Sequence, residues 1–321
     1  TSLYVGNSFT PRSTVTDRYQ NPIDGDVAYS TVGEAVAFAD GKAKAVHIGR
    51  SLLIAAFDSL KDTTTISVVP MMTFGAIRGQ EVVMANADGS GYRVLAPAGS
   101  GSPYTTDWTP SGDGLVFDHG YGSGPIDIAE LDGTVRTLNA SDEWGLYPEV
   151  SPDGSWVYFS RGSYDWNLYR VHLDGTGEEA VPMNTPRSDV APSLSPDGKR
   201  LVYVLTDPGR DHLMLLDLNS GETTDLNIFG HSPAWSPDGS QIAYLQSTDF
   251  TLHVVKPDGS DDRSIGAGND RYDFGIDWSP DSKWVIARNS TRNYLELVEA
   301  ASGLTFPLGF TAGYRGPSWK P

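Results

Sequence analysis

Side chains suited to molecular recognition recur at regular intervals along this chain. They lie in variable segments just before a repeated phrase of the type Trp-Ser-Pro-Asp-Gly. These residues are Tyr104, Trp144, Tyr147, Arg187, Asp189, His231, Arg271, Tyr272, Asp273, Tyr314 and Arg315. Tyrosine, tryptophan and arginine dominate the energetic centres of protein interfaces, and aromatic faces beside charged groups also suit sugars. The pattern predicts a site for a protein, a peptide or a glycan.

Sequence motifs for covalent or metal-assisted catalysis are missing. There is no Gly-x-Ser-x-Gly, no His-Glu-x-x-His and no P-loop. His119, His212 and His231 fall in loops that we expect on one face, so a metal held by three imidazoles is an alternative. Asn86 and Asp88 have the spacing of a calcium loop, although Asp-Gly is also a common turn. We therefore expect no catalytic residue and no cofactor, with a calcium or other divalent ion as the alternative.

The repeated phrase predicts the elements that hold these loops. Its prolines stand at positions 110, 152, 196, 237, 280 and 321, in steps of 42, 44, 41, 43 and 41 residues. A period of about 40–45 residues with four strands in each unit is typical of the blades of a β-propeller. Proline fixes φ and the glycine accepts a positive φ, so each phrase is a turn between two strands.

The ends of the repeat array predict how the ring closes. The last phrase, at Trp319, completes a first strand, and no second strand follows it. Residues 68–95 contain three strands and lack a first one. The C-terminal strand should therefore join the strands near residue 70 in a shared closing blade, which leaves no open edge.

Four tryptophans occupy one repeat position, at Trp108, Trp235, Trp278 and Trp319. Because they recur with the turns and not with the variable loops, we expect them to pack between blades.

These repeat units resemble the TolB-type, WD-like propeller family over about 250 residues. The resemblance implies an all-β fold in which residues 71–321 form a six-bladed β-propeller. Each variable segment then leads into an innermost strand, so its side chains should reach the mouth of the central channel. Such propellers serve as binding platforms, as enzyme gates and, rarely, as enzymes, so the fold leaves the function open.

Residues 1–70 lack this period and have the short alternating strands of a small β-sandwich. The stretches Tyr4–Gly6, Val15–Pro22 and Ala39–Gly49 resemble bacterial immunoglobulin-like domains of the group 2 and invasin kind. The resemblance implies a secreted or cell-surface protein, because these modules act as spacers and stalks outside the cell. A cap on the propeller is the alternative for this segment.

Composition excludes several classes of partner. The formal net charge is −18 at pH 7, which would repel phosphate backbones, so we expect no nucleic-acid partner. No apolar run approaches the roughly 20 residues of a membrane-spanning helix, so we expect no membrane insertion. The chain has no cysteine, which excludes disulfides and thiolate metal sites. We expect a monomer.

Three functions fit these observations. The leading hypothesis is a non-enzymatic bacterial binding protein, extracellular, on the cell surface or in the periplasm, whose channel mouth binds a protein, peptide or glycan. The alternative is a polysaccharide lyase or other carbohydrate-active enzyme, in which arginine would hold a uronate carboxylate and histidine or tyrosine would act as base. A structural spacer is the third. Convergence of the predicted residues on one cleft would favour the enzyme, and their spread around a wide mouth would favour the binding platform.

Overall fold

The computed structural model divides the chain into two compact units, Thr1–Met71 and Met72–Pro321. It describes all residues except 1, 5–6, 17–18, 21, 24, 47–48, 70–72, 88–89, 98–103, 121–123, 140–143, 163–165, 184–187, 208–209, 267, 269 and 312–313. The described residues form strands, turns and loops, and no helix. A search of these same residues finds no helix that could span a membrane.

The first unit consists of two sheets that share one apolar cluster. Its strands are β1 (Ser2–Tyr4), β2 (Ser8–Phe9), β3 (Ala28–Val32), β4 (Val36–Ala39), β5 (Lys42–Ala45), β6 (Gly49–Phe57) and β7 (Leu60–Val69). One sheet has the order β1-β7-β6-β3 and the other β2-β5-β4. Ala43 and Ala45 of β5 join Leu53 of β6 and Ile66 of β7 in the cluster. Burial alternates along β5, as expected for a strand with one face on the core.

The second unit consists of antiparallel sheets in sequence order. Its first strands are β8 (Thr73–Arg78), β9 (Glu81–Asn86) and β10 (Arg93–Pro97), followed by β11 (Thr106–Trp108), β12 (Gly114–Phe117), β13 (Asp127–Glu130) and β14 (Val135–Thr137). Next come β15 (Gly145–Val150), β16 (Trp156–Arg161), β17 (Asn167–His172), β18 (Glu179–Ala180), β19 (Asp189–Leu194), β20 (Arg200–Leu205), β21 (His212–Asp217) and β22 (Thr223–Trp235). The last are β23 (Ile242–Gln246), β24 (Leu252–Val255), β25 (Arg263–Ser264), β26 (Tyr272–Trp278), β27 (Trp284–Asn289), β28 (Tyr294–Glu299), β29 (Thr305–Thr311) and β30 (Tyr314–Trp319).

The chain terminus closes the second unit. Strand β30 pairs antiparallel with β8, with Trp319 opposite Phe74 and Tyr314 opposite Arg78. The resulting sheet has the order β10-β9-β8-β30. The predicted joining of the C-terminal strand to the strands near residue 70 is confirmed.

Most sheets of the second unit contain four strands, and one long strand links two further groups. The sheets β11–β14, β15–β18 and β26–β29 each have four strands. In the 13-residue strand β22, residues up to Phe229 pair with β21, and residues from Gly230 onward pair with β23. The groups β19–β22 and β22–β25 therefore repeat the four-strand pattern within one seven-stranded sheet.

The repeated tryptophans are buried between neighbouring sheets. Trp108, Trp235, Trp278 and Trp319 expose between 2% and 6% of their surface. Trp278 of β26 lies in one apolar cluster with Leu245 of β23, and its indole N–H donates to the carbonyl of Ala234 at 2.9 Å. The predicted packing role of this repeat position is confirmed.

The serine of the repeated phrase ties its turn together. The hydroxyl of Ser151 donates to Asp153 at 2.6 Å and accepts the N–H of Trp156 at 2.9 Å. Ser195, Ser236 and Ser279 make the equivalent pairs of bonds. These turns use their polar groups to stabilise the scaffold.

Candidate functional site

The innermost strands of the second unit surround a narrow cavity. These inner strands are β11, β15, β19, the second half of β22, β26 and β30. The cavity measures about 60 Å³, and a water molecule needs about 10–15 Å³ of such space, so only a few waters fit. Its lining takes at least one residue from, or directly beside, every inner strand. We call six of these residues the neck: Thr105, Tyr147, Ala191, Ser232, Gly275 and Gly316.

Backbone bulges shape the neck. Five neck residues have positive φ angles, which are 55° at Tyr147, 52° at Ala191, 47° at Ser232, 83° at Gly275 and 48° at Gly316. The pairing of each of these strands with its neighbour shifts register at the same place. Positive φ is uncommon for residues other than glycine, and bulges often re-aim side chains beside binding sites. A bulge therefore recurs at the neck in five of the six inner strands.

A carboxyl group on three inner strands joins each strand to the next one. Each accepts a hydrogen bond from a backbone N–H of the following inner strand. The pairs are Asp107 with Val150 at 2.6 Å, Glu149 with Leu194 at 3.1 Å, and Asp277 with Trp319 at 2.7 Å. These bonds clamp neighbouring sheets together at the channel wall.

The pKa values of the same carboxyl groups are raised. Burial raises the pKa of Glu149 to about 8 and that of Asp277 to about 7. Burial also raises the pKa of Asp107 well above its ordinary value, and the charges of Glu149 and Asp277 add to this rise. The sequence reasoning missed all three residues. One sequence pattern could have identified them, because each is an acidic residue directly before the tryptophan or apolar residue of the repeated phrase.

Asp118 organises one side of the channel mouth. Its buried carboxylate accepts backbone N–H groups from Tyr104 at 2.8 Å, Gly120 at 2.9 Å and Tyr147 at 3.4 Å. Burial raises the pKa of Asp118, and these hydrogen bonds act in the opposite direction. Asp118 thus fixes the backbone of two predicted site residues, Tyr104 and Tyr147. No sequence pattern singled out Asp118.

Several predicted site residues form an aromatic band beside the neck. The rings of Tyr104 and Tyr147 lie 6.4 Å apart. The imidazole of His231 stacks on Phe250 at 5.4 Å with an interplanar angle of 7°. The guanidinium of Arg271 lies 5.4 Å from the centre of the same Phe250 ring. Tyr104 and Tyr147 thus form one aromatic contact. His231 and Arg271 share a second one, on the ring of Phe250.

Other predicted residues form a cationic group near β30. Arg315 is exposed, and Arg288 forms an ion pair with Asp273. Burial lowers the pKa of Arg288, and the positive charge of Arg315 lowers it further. Tyr314 exposes 9% of its surface and contacts the guanidinium of Arg78 with a ring distance of 5.8 Å. Like charges are thus held close together in a strongly acidic chain.

The structure corrects part of the predicted set. Asp189 and Tyr272 expose 0% and 2% of their surface, so they do not line an open mouth. Both lie in paired strands rather than in loops, and the Tyr272 hydroxyl donates to Glu296 at 3.1 Å. Trp144 is half-buried. Arg187 lies outside the described residues.

The three candidate metal-binding histidines do not converge. Each pairs with a different aspartate: His119 with Asp127 at 2.9 Å, His212 with Asp225 at 3.3 Å, and His231 with Asp211 at 3.1 Å. Within the described part of the chain, no group of three or more metal-ligating side chains is found.

In the suggested calcium loop, the side chain of Asn86 is hydrogen-bonded to other residues of the protein. The Asn86 side chain bonds to the hydroxyls of Thr73 at 2.7 Å and Ser90 at 3.0 Å. These contacts hold Asn86 in the sheet and its turn. Asp88 lies outside the described residues.

Two known proteins are similar in sequence to parts of this chain. An uncharacterised protein of Agrobacterium fabrum is 30% identical over 179 residues, covering 47% of this chain and 60% of that protein. The Tol-Pal system protein TolB of Alcanivorax borkumensis is 28% identical over 99 residues, covering 29% of this chain and 23% of that protein. This chain thus spans less than two thirds of either relative.

A solved structure and a family model extend the comparison. The crystal structure of TolB from Acinetobacter baumannii matches 91% of this chain and 83% of its own length, with a TM-score of 0.65 and 15% identity. Residues 115–321 match the family model of the TolB beta propeller domain, PD40. That match covers more than half of the chain, from the second strand of the first complete repeat to the last residue. The chain belongs to the TolB-type β-propeller family.

Proposed function

We propose that this chain is a non-enzymatic bacterial binding protein whose propeller recognises a segment of a partner protein at the mouth of its channel. The observation that carries the proposal is the distribution of the predicted residues. His231 and Arg271 both contact Phe250, whereas Arg315 lies on β30, opposite Ile77 of β8. Residues spread around a mouth suit an extended partner better than one reacting centre.

The narrowness of the neck supports a macromolecular partner. Its roughly 60 Å³ is far below the about 300–1,000 Å³ of ordinary small-molecule sites. A ligand on this face therefore lies across the mouth instead of passing into the channel. The relative from Alcanivorax borkumensis is named as a Tol-Pal system protein, which also favours a protein partner.

The wider architecture belongs to the same proposal. We infer six blades, because the four-stranded sheets and the two groups that share β22 add up to six four-stranded units. We infer an immunoglobulin-like sandwich for residues 1–70, because two sheets share one apolar cluster there. Family membership and that resemblance together favour the periplasm or the cell exterior of a bacterium.

Peptide selection tests the proposed function. The 321-residue chain is immobilised and used to select from a phage-displayed peptide library, and the affinities of the selected peptides are then measured. The mouth variant Tyr104→Ala/Arg315→Ala should weaken them at least tenfold, because it removes one residue from each predicted group. The matched control Tyr19→Ala/Arg93→Ala removes an exposed tyrosine of the first unit and an exposed arginine at the start of the outer strand β10, and should change affinity less than twofold.

Two outcomes would contradict the proposal. Peptides that bind the mouth variant as well as the wild type would place recognition elsewhere. A selection that enriches no peptide would remove the protein-segment hypothesis. Circular dichroism and the denaturation midpoint of each variant show whether a loss of binding reflects loss of folding.

A further inference from the structure

A side pocket opens beside the neck among the inner strands β15, β19 and the second half of β22. It measures about 250 Å³, roughly four times the 60 Å³ of the channel cavity. It shares Tyr147, Ala191 and Ser232 with the neck. The pocket is therefore part of the mouth, and it is large enough to receive a long side chain.

The walls of the pocket are aromatic and aliphatic. Tyr147 and Trp166 contribute rings, and Val190 and Val204 contribute aliphatic surface. The carbonyl of Trp166 accepts the backbone N–H of Asp189 at 2.9 Å, which ties its loop to the start of β19. Aromatic faces attract cations through their quadrupole, and aliphatic walls suit a methylene chain.

One side of the pocket is acidic. Asp211 lines it with a side chain that is 23% exposed, and it pairs with His231 at 3.1 Å. Burial lowers the pKa of His231, which favours the neutral imidazole beside Asp211. The backbone carbonyl of Asp211 accepts the N–H of Gly230 at 3.1 Å, which holds the carboxylate in place.

No basic side chain other than His231 lines this pocket among the described residues. Ser232 adds a second polar group. It exposes 8% of its surface, and its buried hydroxyl has no hydrogen-bond partner among the residues that the structure describes. Buried polar groups in proteins are nearly always hydrogen-bonded. The combination of a carboxylate and an unsatisfied hydroxyl calls for a ligand that donates hydrogen bonds.

We propose that the side pocket receives a basic side chain, lysine or arginine, from the partner segment. The cationic group pairs with Asp211 and bonds to the hydroxyl of Ser232, and the methylene chain lies between Tyr147 and Trp166. The net charge of −18 favours a basic partner over long range. This inference rests on the proposed function, because it names the chemistry that the mouth selects in its protein partner.

The test compares two small molecules of nearly the same shape. The 321-residue chain is labelled with fluorotryptophan, and the Trp166 signal in the fluorine NMR spectrum is assigned from the variant Trp166→Phe. n-Butylguanidinium carries the charge of an arginine side chain, and n-butylurea is its neutral counterpart. We expect a saturable shift of the Trp166 signal with n-butylguanidinium, and at least fivefold weaker binding of n-butylurea.

A pair of charge variants locates the effect. Asp211→Asn should weaken n-butylguanidinium binding at least fivefold, because it removes the charge inside the pocket. Asp207→Asn removes an equal charge from an exposed position four residues away, and should change binding less than twofold. The signals of the other seven of the eight tryptophans report whether each variant is folded. The comparison of the two ligands needs no substitution, so it remains decisive if Asp211→Asn does not fold.

Three results would overturn the inference. They are the absence of a saturable Trp166 shift, equal binding of the neutral and charged ligands, and equal weakening by Asp207→Asn and Asp211→Asn. Any of them would leave the proposed function standing if selected peptides still depend on Tyr104 and Arg315. Conversely, a selection that enriches no peptide would remove the proposed function even if n-butylguanidinium binds.

Discussion

Buried carboxyl groups at the channel wall link the stability of this protein to pH. Glu149 has an ordinary pKa of 4.5, which burial raises to about 8, and Asp277 moves from 3.8 to about 7. Between pH 4.5 and about 8, Glu149 therefore keeps a proton in the folded chain that it loses in the unfolded chain. The same holds for Asp277 between pH 3.8 and about 7. The contribution of these two groups to stability falls as the pH rises through these intervals, because the unfolded state binds fewer protons there. Aspartates in the turns, such as Asp153, have a lowered pKa. They therefore change the stability only at pH values below these intervals.

Glu149→Gln should remove part of this pH dependence. The side chain of glutamine has an oxygen that can accept the N–H of Leu194, but this side chain does not ionise. Each unit of pKa shift corresponds to about 1.4 kcal/mol. We expect the wild type to lose at least about 2 kcal/mol more than the variant between about pH 5.5 and pH 8.5. Urea denaturation at both pH values measures this difference.

Glu222→Gln is the matched control for this experiment. Glu222 is exposed, so its substitution should leave the pH dependence as in the wild type. If Glu149→Gln and the wild type lost the same free energy over this interval, Glu149 would be ionised in the folded protein, contrary to its burial.

At the scale of single elements, the bulged inner strands depend on close backbone contacts. A Cβ atom on Gly316 would lie 2.1 Å from the carbonyl oxygen of Tyr104 and 2.6 Å from the Cα of Thr105. Its φ of 48° adds the strain of the left-handed region. At this point β30 and the segment before β11 meet so closely that only glycine fits.

Gly316→Ala should therefore cost more than the strain of a positive φ alone. Gly198 has a φ of 67° and nothing within 4 Å of an added Cβ, so Gly198→Ala reports the backbone strain alone, about 1–2 kcal/mol. Steric overlap adds about 1–3 kcal/mol more at Gly316. Chemical denaturation of both variants measures the two costs. Equal losses would mean that the inner strands can separate to make room for the methyl group.

For the whole molecule, closure by the C-terminal strand determines whether the second unit has an open edge. Strand β30 completes the sheet that begins at β8, and Asp277 of β26 accepts the N–H of Trp319 at 2.7 Å. One strand thus joins the first sheet of the unit to the last. Without it, β8 would present an unpaired edge to other chains.

Removal of residues 314–321 should abolish the cooperative unfolding of the second unit and cause aggregation. Calorimetry and size-exclusion chromatography measure the two effects. Removal of Pro321 alone, an exposed residue, is the control and should leave both unchanged. A truncated chain with the wild-type elution volume and the wild-type Tm would show that closure is not needed for stability.

The sequence by itself determined the repeat, the turns and the closing strand. A period of 41 to 44 residues and a proline in each phrase constrain the local backbone wherever they occur, and the recurring tryptophan predicts a packing position. The same repeat placed Tyr104, His231 and Arg315 in segments that lead into inner strands. These features are local or periodic, so they can be recognised without knowing which strands become neighbours.

Only the tertiary structure decided which of these residues remain accessible. Asp189 and Tyr272 have the same types as surface residues, yet strand pairing buries them. Asp118 and Glu149 gained their roles from backbone N–H groups 29 and 45 residues away in the chain. The pocket beside Asp211 takes its walls from three inner strands, from β20 and from the loops that contain Trp166 and Asp211. Burial and long-range contacts depend on how the strands assemble, and no local pattern contains that information.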